Sequence, residues 1–407
     1  MDLKISHNSK KCIGELKISG SKSETNRLLI LKALFSEFEI KNISNSDDSK
    51  ILEKALKSKE KIIDIHHAGT AMRFLTAYFS QLEGREVILT GSKRMQQRPI
   101  KILVDSLISL GADIYYENKN GYPPLRIKGK KFKGGSIKLP AGISSQYVSA
   151  LLLIAPVLEN GIELSLLGKP TSLPYIEMTL FLLKNFGVKT YFDGKKIKIN
   201  PNIQFKKAKQ TVESDWSSAS YFYSIVALSK NAEIKLSSYK SKSLQGDSVL
   251  KNIYENLGVK SIFKDNCLLL KKEEINFPNC IDLNLSKAPD IAQTIAVTCY
   301  GLGIGCNLEG LHTLKIKETD RLVALERELK KLGATIKITE SSLILSPGNN
   351  FKQNCSISTY NDHRMAMSFA PLSLKVPLQI KDYKVVSKSY PNFWKDLVKL
   401  NFIIQMR

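Results

Sequence analysis

Residues 19–34 read SGSKSETNRLLILKAL, a run of small polar residues that leads directly into an apolar helical pattern. The same arrangement recurs in HAGTAMRFLTAYF, AGISSQYVSALLLIA, SDWSSASYFYSIVAL, APDIAQTIAVTCYGL and YNDHRMAMSFAPLSL. The starts lie 71 to 75 residues apart, after a shorter first interval of 47, at Ser21, Ala68, Ile143, Asp215, Asp290 and Asn361. A period of this size predicts six copies of one supersecondary unit.

Each copy contains a second helix and several short strands. Four of the second helices end in glycine, which is a C-cap signal, at Gly111, Gly187, Gly258 and Gly333. Runs such as REVILTG, GSIKLP, IELSLLG, AEIKLSS, CLLLKK and SLILSPG are typical of strands. The unit is therefore predicted as βαβαββ, repeated about six times with a shortened first copy.

Six units of this kind predict an α/β fold with two similar domains of three repeats each. Three units end near residue 213, where we place the boundary. If the first helices of each domain point the same way, their N-termini gather on one face, and two such faces form an anion-binding cleft between the domains. The alternative is an α/β repeat protein with capped helices and no chemistry.

The composition constrains the function. The chain of 407 residues carries 61 Lys and Arg against 38 Asp and Glu, a net charge of +23. Such a balance would suit a nucleic-acid-binding repeat protein, but the lysines are spread evenly, and we find neither aromatic-interleaved basic stripes nor a helix-turn-helix pattern. A basic protein also attracts small anionic substrates.

The arginines stand out in this lysine-rich chain, because a guanidinium grips carboxylate or phosphate with two bonds where lysine offers a point charge. Only ten arginines are present. Five of them fall in compact polar motifs, at Arg27, Arg73, Arg98, Arg321 and Arg364. Together they predict a site for several anionic groups.

The cysteines and the first residues bear on the compartment. Six cysteines show no C-x-x-C pair or zinc spacing, and five histidines form no metal-ligand pattern. The segment MDLKISHNSKK has no signal-peptide core. We therefore expect reduced thiols, a cytoplasmic location, and neither a metal nor a cofactor.

The first cap contains Lys22, Ser23 and Arg27, where the helix dipole already favours an anion. A P-loop is excluded, since Lys22 does not follow a glycine in the required spacing. The plain alternative is a solvated helix start with Ser23 as its cap. A later segment, KETDR at 317–321, is predicted as a charged helix start with Lys317 and Arg321 on one face.

The motifs SGSKSETNR, AGTAMR, RPI, SSQY, PDIAQT, KETDR, NDHRMAM and the later Lys388 occur in this order. In that order they resemble the 5-enolpyruvylshikimate-3-phosphate synthase family over nearly the whole chain. The resemblance implies two domains of three βαβαββ units, with the first strand belonging to the C-terminal domain. The predicted domains are therefore 21–213, and 1–20 together with 214–407.

The family resemblance implies a transferase of the shikimate pathway that converts phosphoenolpyruvate and shikimate 3-phosphate to the enolpyruvyl ether and phosphate. Shikimate 3-phosphate would be held by Lys22, Ser23, Arg27, Ser144, Ser145, Gln146, Ser172, Tyr175, Asp290 and Lys317. Phosphoenolpyruvate would be held by Lys22, Gly69, Arg98, Gln146, Arg321, Arg364 and Lys388. A monomer acting on small molecules, without nucleic acid or membrane, is expected, and glyphosate is the expected inhibitor.

The resemblance also implies the catalytic roles. Asp290 would take the proton from the 5-hydroxyl, and Glu318, with Lys22 near, would deliver one to C3. Three positions depart from the usual family pattern and bear on the fine shape of the pocket, namely His67, Phe74 and Thr313.

Two relatives are the remaining alternatives. UDP-N-acetylglucosamine enolpyruvyl transferase has Lys-Asn in its first cap and a cysteine five residues before its Arg-Pro, whereas this chain has Ser23 and Lys93 at those places. A catalytically idle relative is disfavoured, because both carboxylates and all the expected cations are present.

Overall fold

The computed structural model of the protein describes residues 1–35, 38–140, 142, 144–168, 173–202, 209–348 and 350–406. The chain divides into two compact units. The N-terminal unit comprises Ser21–Val212, and the C-terminal unit comprises Met1–Gly20 together with Glu213–Arg407. Within the described ranges no helix is long and apolar enough to span a bilayer, and all six cysteines are free.

The chain begins with two strands of the C-terminal unit, β1 (Asp2–Ser6) and β2 (Lys11–Leu16). It then enters the shortened first repeat of the N-terminal unit, which contains α1 (Lys22–Phe35), β3 (Ile40–Lys41) and α2 (Asp47–Lys57).

The next two repeats of the N-terminal unit each contain four strands and two helices. The second repeat has β4 (Ile62–Asp64), α3 (Gly69–Ser80), β5 (Glu86–Thr90), α4 (Lys101–Ser109), β6 (Asp113–Tyr116) and β7 (Leu125–Lys128). The third has β8 (Gly135–Pro140), α5 (Ser145–Ile154), β9 (Ile162–Leu167), α6 (Leu173–Asn185), β10 (Thr190–Phe192) and β11 (Lys196–Ile199). The short β12 (Gln210–Thr211) then pairs with β3.

Three further repeats form the C-terminal unit. The first has α7 (Trp216–Leu228), β13 (Asn231–Ser237), α8 (Leu250–Glu255), β14 (Val259–Lys264) and β15 (Cys267–Lys272). The second has β16 (Cys280–Asn284), α9 (Ala292–Leu302), β17 (Gly305–Glu309), α10 (Arg321–Lys331), β18 (Ile336–Ile338) and β19 (Leu343–Leu345). The third has β20 (Ser356–Ile357), α11 (His363–Phe369), β21 (Leu378–Lys381), α12 (Phe393–Lys399) and β22 (Ile403–Met406).

Every four-stranded sheet in the described residues has the same plan. Each sheet contains a parallel pair of strands joined by the first helix of the repeat, as in β4 beside β5 and β16 beside β17, except that β13 pairs with β2 from the beginning of the chain. The other two strands are antiparallel and form a hairpin, as in the order β4-β5-β7-β6, except that β1 and β22 take these places beside β21. A parallel pair needs a long crossover, which explains why a helix separates the first two strands of each repeat.

The first 20 residues complete two sheets of the C-terminal unit. Strand β2 is the parallel partner of β13, with Cys12 opposite Ala232. Strand β1 lies between β21 and β22, with Leu3 opposite both Ile380 and Met406. The C-terminal unit therefore takes its opening strands from the beginning of the chain.

The first helix of each repeat packs in the interior. All 12 residues of α3 are buried, whereas α2 and α10 have charged, exposed faces. In the C-terminal unit the hydroxyls of Ser220, Thr294 and Ser368 are hydrogen-bonded in a row, 74 residues apart on α7, α9 and α11. These equivalent positions confirm the repeat predicted from the sequence.

The helix signals read from the sequence are also confirmed, with two exceptions, the cap of α1 and the start of α10. Gly111, Gly187, Gly258 and Gly333 all have positive φ angles after their helices, a conformation that glycine adopts without strain. At the start of α1, however, the Oγ of Ser21 rather than that of Ser23 accepts the amide hydrogen, from Glu24 at 3.5 Å. Because α1 already begins at Lys22, Ser23 lies inside its first turn.

Candidate active site

The centre of the candidate site in the C-terminal unit is the guanidinium of Arg321, whose side chain is only 2% exposed. Its Nε donates to Oδ2 of Asp362 at 2.6 Å. Its two terminal nitrogens donate to Asp290 at 2.8 Å and to Glu318 at 2.9 Å. Burial would lower the pKa of Arg321, but these three carboxylates raise it above its usual value.

The KETDR segment is not a helix start in the way that its spacing predicted. The side chain of Asp320 accepts hydrogen bonds from the amides of Leu322 and Val323, so α10 begins only at Arg321. Lys317 and Glu318 therefore lie in the loop before the helix. Because these two residues are not helical, Glu318 can form an ion pair with Arg321. The Nζ of Lys317 lies 3.5 Å from Oδ1 of Asp290.

Asp290 lies in a short turn, Pro289–Ile291, immediately before α9. Burial would raise the pKa of its carboxyl group, but Lys317, Arg364 and Arg321 together hold that pKa well below the usual range. The distance from Asp290 Oδ2 to the guanidinium of Arg364 is 3.3 Å. Asp290 is thus a largely buried carboxylate that three cations keep ionised.

Lys388 and Arg364 complete this cluster. The Nζ of Lys388 lies 2.7 Å from Oε1 of Glu318, so both oxygens of that carboxylate face a cation. Arg364, in the first turn of α11, donates to the backbone oxygen of Asp290 at 3.1 Å. The described residues of this unit therefore place in one cluster Asp290, Lys317, Glu318, Arg321, Arg364 and Lys388, all of them predicted from the sequence.

Asp362 belongs to the same cluster and was not singled out from the sequence. It is fully buried, caps α11 through the amide of Arg364, and pairs with Arg321. In the sequence, only its position in the motif NDHRMAM pointed to Asp362. The cap role was readable from that pattern, but the pairing with Arg321 depends on packing between repeats.

In the N-terminal unit, Lys22 forms an ion pair with Asp48 on α2, with 3.2 Å between Nζ and Oδ2. Asp48 is a second residue that the sequence did not single out. The neighbouring Ser46 caps α2 and Ser49 donates to Asn26 of α1, so a buried polar network fixes the two helices together. This network places Lys22 at the start of α1.

Arg27 is buried, with 2% of its surface exposed. It donates to Thr179 at 2.7 Å, to Ser149 at 2.9 Å, and to the backbone oxygens of Ser23 and Tyr175. Burial lowers the pKa of its guanidinium to about 10, against the opposing charges of Tyr175 and Glu24. Most of its donors are thus used within the protein, and Arg27 holds α1, α5 and α6 together.

The N-termini of α3 and α5 lie together. The side-chain Nε2 of Gln146 donates to the hydroxyl of Thr70 at 3.1 Å. Ser144 caps α5, and Ser145 is the first residue of that helix. Gly69 begins α3 with the guanidinium of Arg98 against it, since a Cβ on Gly69 would stand 2.5 Å from Nη1 of Arg98. This unit therefore brings together Gly69, Arg98 and Gln146, as the family resemblance implies for a phosphoenolpyruvate site.

Arg73, a motif arginine to which no role was assigned, is buried between these parts. It donates to the backbone oxygens of Gly69 and Pro99, and lies over the ring of Tyr147. Tyr175 lies on α6, with its ring 5.8 Å from the guanidinium carbon of Arg27. Ser172, which immediately precedes α6, lies outside the described residues.

The three residues that depart from the family pattern lie in different surroundings. His67 contacts the hydroxyl of Ser92 at 2.8 Å on the surface. Phe74 is buried with its ring centre 5.5 Å from the guanidinium carbon of Arg27, a cation–π contact. Thr313 lies in the turn His312–Ile316, and its hydroxyl has no hydrogen-bond partner among the described residues.

Comparison with known proteins identifies relatives over nearly the full chain. The profile of the family "EPSP synthase (3-phosphoshikimate 1-carboxyvinyltransferase)" matches residues 51–397. A Bacteroides fragilis protein named 3-phosphoshikimate 1-carboxyvinyltransferase is 45% identical, with 96% of each chain covered. A Haemophilus influenzae protein of the same name is 36% identical, with 95% of this chain and 96% of the relative covered.

Solved structures agree in fold. An EPSP synthase from Acinetobacter baumannii superposes with a TM-score of 0.78 at 20% identity, covering 100% of both chains. The enolpyruvyl transferase NikO from Streptomyces tendae gives a TM-score of 0.75 at 13% identity, covering 99% of this chain and 98% of that one. The predicted α/β fold of two similar domains is thereby confirmed. So is the resemblance carried by the ordered motifs: the chain belongs to the EPSP synthase family, the 3-phosphoshikimate 1-carboxyvinyltransferases.

Proposed function

We propose that the two groups of side chains described above bind and activate the two substrates of this family's reaction. The reaction transfers the enolpyruvyl group of phosphoenolpyruvate to the 5-hydroxyl of shikimate 3-phosphate and releases phosphate, a step of the shikimate pathway. The observation that carries the proposal is the cluster around Arg321. There, salt bridges join Arg321, three carboxylates and three further cations, Lys317, Arg364 and Lys388, into one network.

The assignment of ligands follows the chemistry of the substrates. Carboxylate and phosphate groups are bound most specifically by arginine. For phosphoenolpyruvate we propose Lys22, Gly69, Arg98, Gln146, Arg321, Arg364 and Lys388. For shikimate 3-phosphate we propose Lys22, Ser23, Arg27, Ser144, Ser145, Gln146, Ser172, Tyr175, Asp290 and Lys317. Most donors of the Arg27 guanidinium are already used within the protein. Arg27 would therefore support binding of shikimate 3-phosphate chiefly by holding the backbone of Ser23 and Tyr175 in place.

Asp290 is proposed as the general base. It would accept the proton of the 5-hydroxyl while that oxygen bonds to C2 of phosphoenolpyruvate and C3 gains a proton. Loss of phosphate from C2, with return of a proton from C3, then restores the double bond. A strongly depressed pKa makes a weak base. Substrate anions that pair with Lys317, Arg321 and Arg364 would raise the basicity of Asp290 when they bind.

Glu318 is proposed as the acid at C3. Its two oxygens contact Lys388 and Arg321, an arrangement that stabilises a carboxylate. For Glu318 to donate a proton, a substrate anion must therefore pair with at least one of these two cations in place of the Glu318 carboxylate. The carboxylate and phosphate of phosphoenolpyruvate can both do so, which couples protonation of Glu318 to substrate binding.

We also propose that the enzyme works as a cytoplasmic monomer on small molecules, without nucleic acid. Six free cysteines suit a reducing compartment, and each proposed ligand belongs to this one chain. Size-exclusion chromatography with light scattering measures the oligomeric state. A dimer that dissociates only with loss of activity would contradict the monomer.

The experiment that tests the function is phosphate release from the purified enzyme with each substrate omitted in turn. We expect release only when phosphoenolpyruvate and shikimate 3-phosphate are both present. Replacing shikimate 3-phosphate by UDP-N-acetylglucosamine is the matched control for the other enolpyruvyl transferase, and no release is expected. Release with that acceptor, or with phosphoenolpyruvate alone, would overturn the proposal.

A further inference from the structure

Asp247 is a buried carboxylate that the roles assigned so far do not use. It lies in the short turn Gly246–Val249 before α8, and only 2% of its surface is exposed. Its Oδ2 accepts a short hydrogen bond from the hydroxyl of Ser217. Its Oδ1 has no hydrogen-bond partner among the residues that the structure describes. A buried carboxylate that is only partly satisfied costs stability, so its presence points to another use.

Ser217 connects Asp247 to the cluster around Arg321. It is the second residue of α7, and its Oγ accepts a hydrogen bond from Nη2 of Arg364 at 3.1 Å. The same guanidinium contacts the backbone oxygen of Asp290 at 3.1 Å and its carboxylate at 3.3 Å. A continuous chain of hydrogen bonds thus runs from Asp247 through Ser217 to Arg364, and on to Asp290.

The direction of these hydrogen bonds is set by Asp247. A carboxylate can only accept, so the Ser217 hydroxyl must donate to it, which leaves the lone pairs of Ser217 for Arg364. An uncharged side chain of the same shape would not impose this direction. Burial raises the pKa of Asp247 to about 6, with Asp290 and Asp215 adding to the rise while Arg364 and the Ser217 hydrogen bond oppose it.

We propose that Asp247 is a positioning residue for Arg364, acting through the hydroxyl of Ser217 to fix the guanidinium at the orientation in which it binds phosphoenolpyruvate. The inference rests on the proposed role of Arg364 as a ligand of phosphoenolpyruvate. It assigns to Asp247 and Ser217 an effect chiefly on that substrate, because the chain of hydrogen bonds reaches Asp290, a group proposed for shikimate 3-phosphate, only after Arg364.

The test is steady-state kinetics of phosphate release for the wild type, Ser217→Ala, Asp247→Asn and the double variant. Each single variant should raise KM for phosphoenolpyruvate roughly 10-fold, as for loss of a hydrogen bond to a charged group. KM for shikimate 3-phosphate should stay within about twofold, because binding of that substrate does not use Arg364. The double variant should match the single ones, since Asp247 acts only through Ser217.

Two more variants separate positioning from general damage. Ser217→Thr keeps the hydroxyl and should return KM for phosphoenolpyruvate to within about threefold of the wild type. Ser224→Ala removes a buried hydroxyl two turns further along α7, where the hydroxyl of Ser224 accepts from Thr298, and should leave both KM values unchanged.

Several results would overturn the inference. They are an unchanged KM for phosphoenolpyruvate in both single variants, additive effects in the double variant, or equal rises in KM for the two substrates. A wild type that releases no phosphate with both substrates would instead refute the proposed function, and this inference with it. An active wild type with unaffected variants refutes the positioning role alone.

Discussion

At the scale of single residues, burial separates four of the five motif arginines from the other described arginines. Arg27, Arg73, Arg321 and Arg364 are buried and Arg98 is half-buried, whereas none of the other described arginines, Arg85, Arg94, Arg126 and Arg327, is buried. In a chain that uses lysine for most of its positive charge, arginine is thus kept where several acceptors must be met at fixed angles.

Replacing either proposed catalytic carboxylate should abolish most of the activity. We expect Asp290→Asn and Glu318→Gln each to lower kcat roughly 100-fold or more, the typical contribution of a general acid or base. Circular dichroism and thermal melting check that the fold survives. Glu326→Gln, on the exposed face of α10 where Glu326 pairs with Lys330, is the control and should be fully active. A kcat within about threefold of the wild type for Asp290→Asn or Glu318→Gln would contradict the assignment.

Gly69→Ala should weaken the binding of phosphoenolpyruvate and confer resistance to glyphosate, which we expect to compete with that substrate. The added methyl group would stand 2.5 Å from Nη1 of Arg98, so the guanidinium must move. The backbone need not change, because Arg98 is the flexible partner. We expect KM for phosphoenolpyruvate to rise roughly 10-fold, comparable to the loss of a charged hydrogen bond. Arg98→Lys should cause a similar rise, and an unchanged inhibition constant for glyphosate in Gly69→Ala would refute the prediction.

Asp247→Asn should change how stability depends on pH. The folded chain holds the Asp247 proton up to pH about 6, whereas an unfolded chain releases it near pH 4. Raising the pH through this window therefore destabilises the wild type, by about 2–3 kcal/mol in total. The variant lacks this loss, so its unfolding free energy relative to the wild type should rise between pH 4 and pH 7. Urea unfolding at both pH values measures the difference, and a constant difference would disprove a raised pKa.

At the scale of helices and strands, the repeating pattern could be predicted, but the loops between elements could not. The six boundaries between polar and apolar residues predict the first helix of each repeat, because periodicity and caps are local properties of the sequence. KETDR was assigned to a helix because its charges fit a helical face, yet Asp320 caps α10 one residue before Arg321. The partners Asp48, Asp247 and Asp362 could not be predicted, because their pairing depends on how distant repeats pack.

Asp320→Ala should therefore affect the helix more than the chemistry. Asp320 accepts from the amides of Leu322 and Val323 at 3.1 and 3.2 Å. Losing this cap should lower the free energy of unfolding by about 1 kcal/mol. Arg321 keeps its three carboxylate partners, so kcat should stay within about twofold of the wild type. Asp320→Ser retains a capping oxygen and serves as the control. A large loss of kcat with unchanged stability would place Asp320 in the chemistry instead.

At the scale of the whole molecule, the net charge of +23 and the candidate site both favour anionic ligands. Many surface lysines pair with a carboxylate while largely exposed, as Lys57 does with Glu53, and such pairs contribute little to stability. The excess positive charge raises the concentration of anionic solutes near the protein surface and so favours encounters with anionic substrates. We expect specific recognition of the anionic groups to depend on the few buried arginines.

The pairing of β1 with β22 has a consequence for synthesis on the ribosome. All the strands of Ser21–Val212 emerge before Glu213–Arg407, so this unit can fold early. By contrast, β2 must wait for β13, and β1 must wait for β21 and β22, which are made last. Because Leu3 lies opposite Met406, a circular permutant that starts at Ser21 and rejoins residues 1–20 after the final strand through a short linker should fold and stay active. Its C-terminal unit would then be made in one piece, and pulse-proteolysis of arrested nascent chains should show protection of that unit only when the relocated β1 has emerged. A permutant that is insoluble would show that the early exit of β1 is needed for folding.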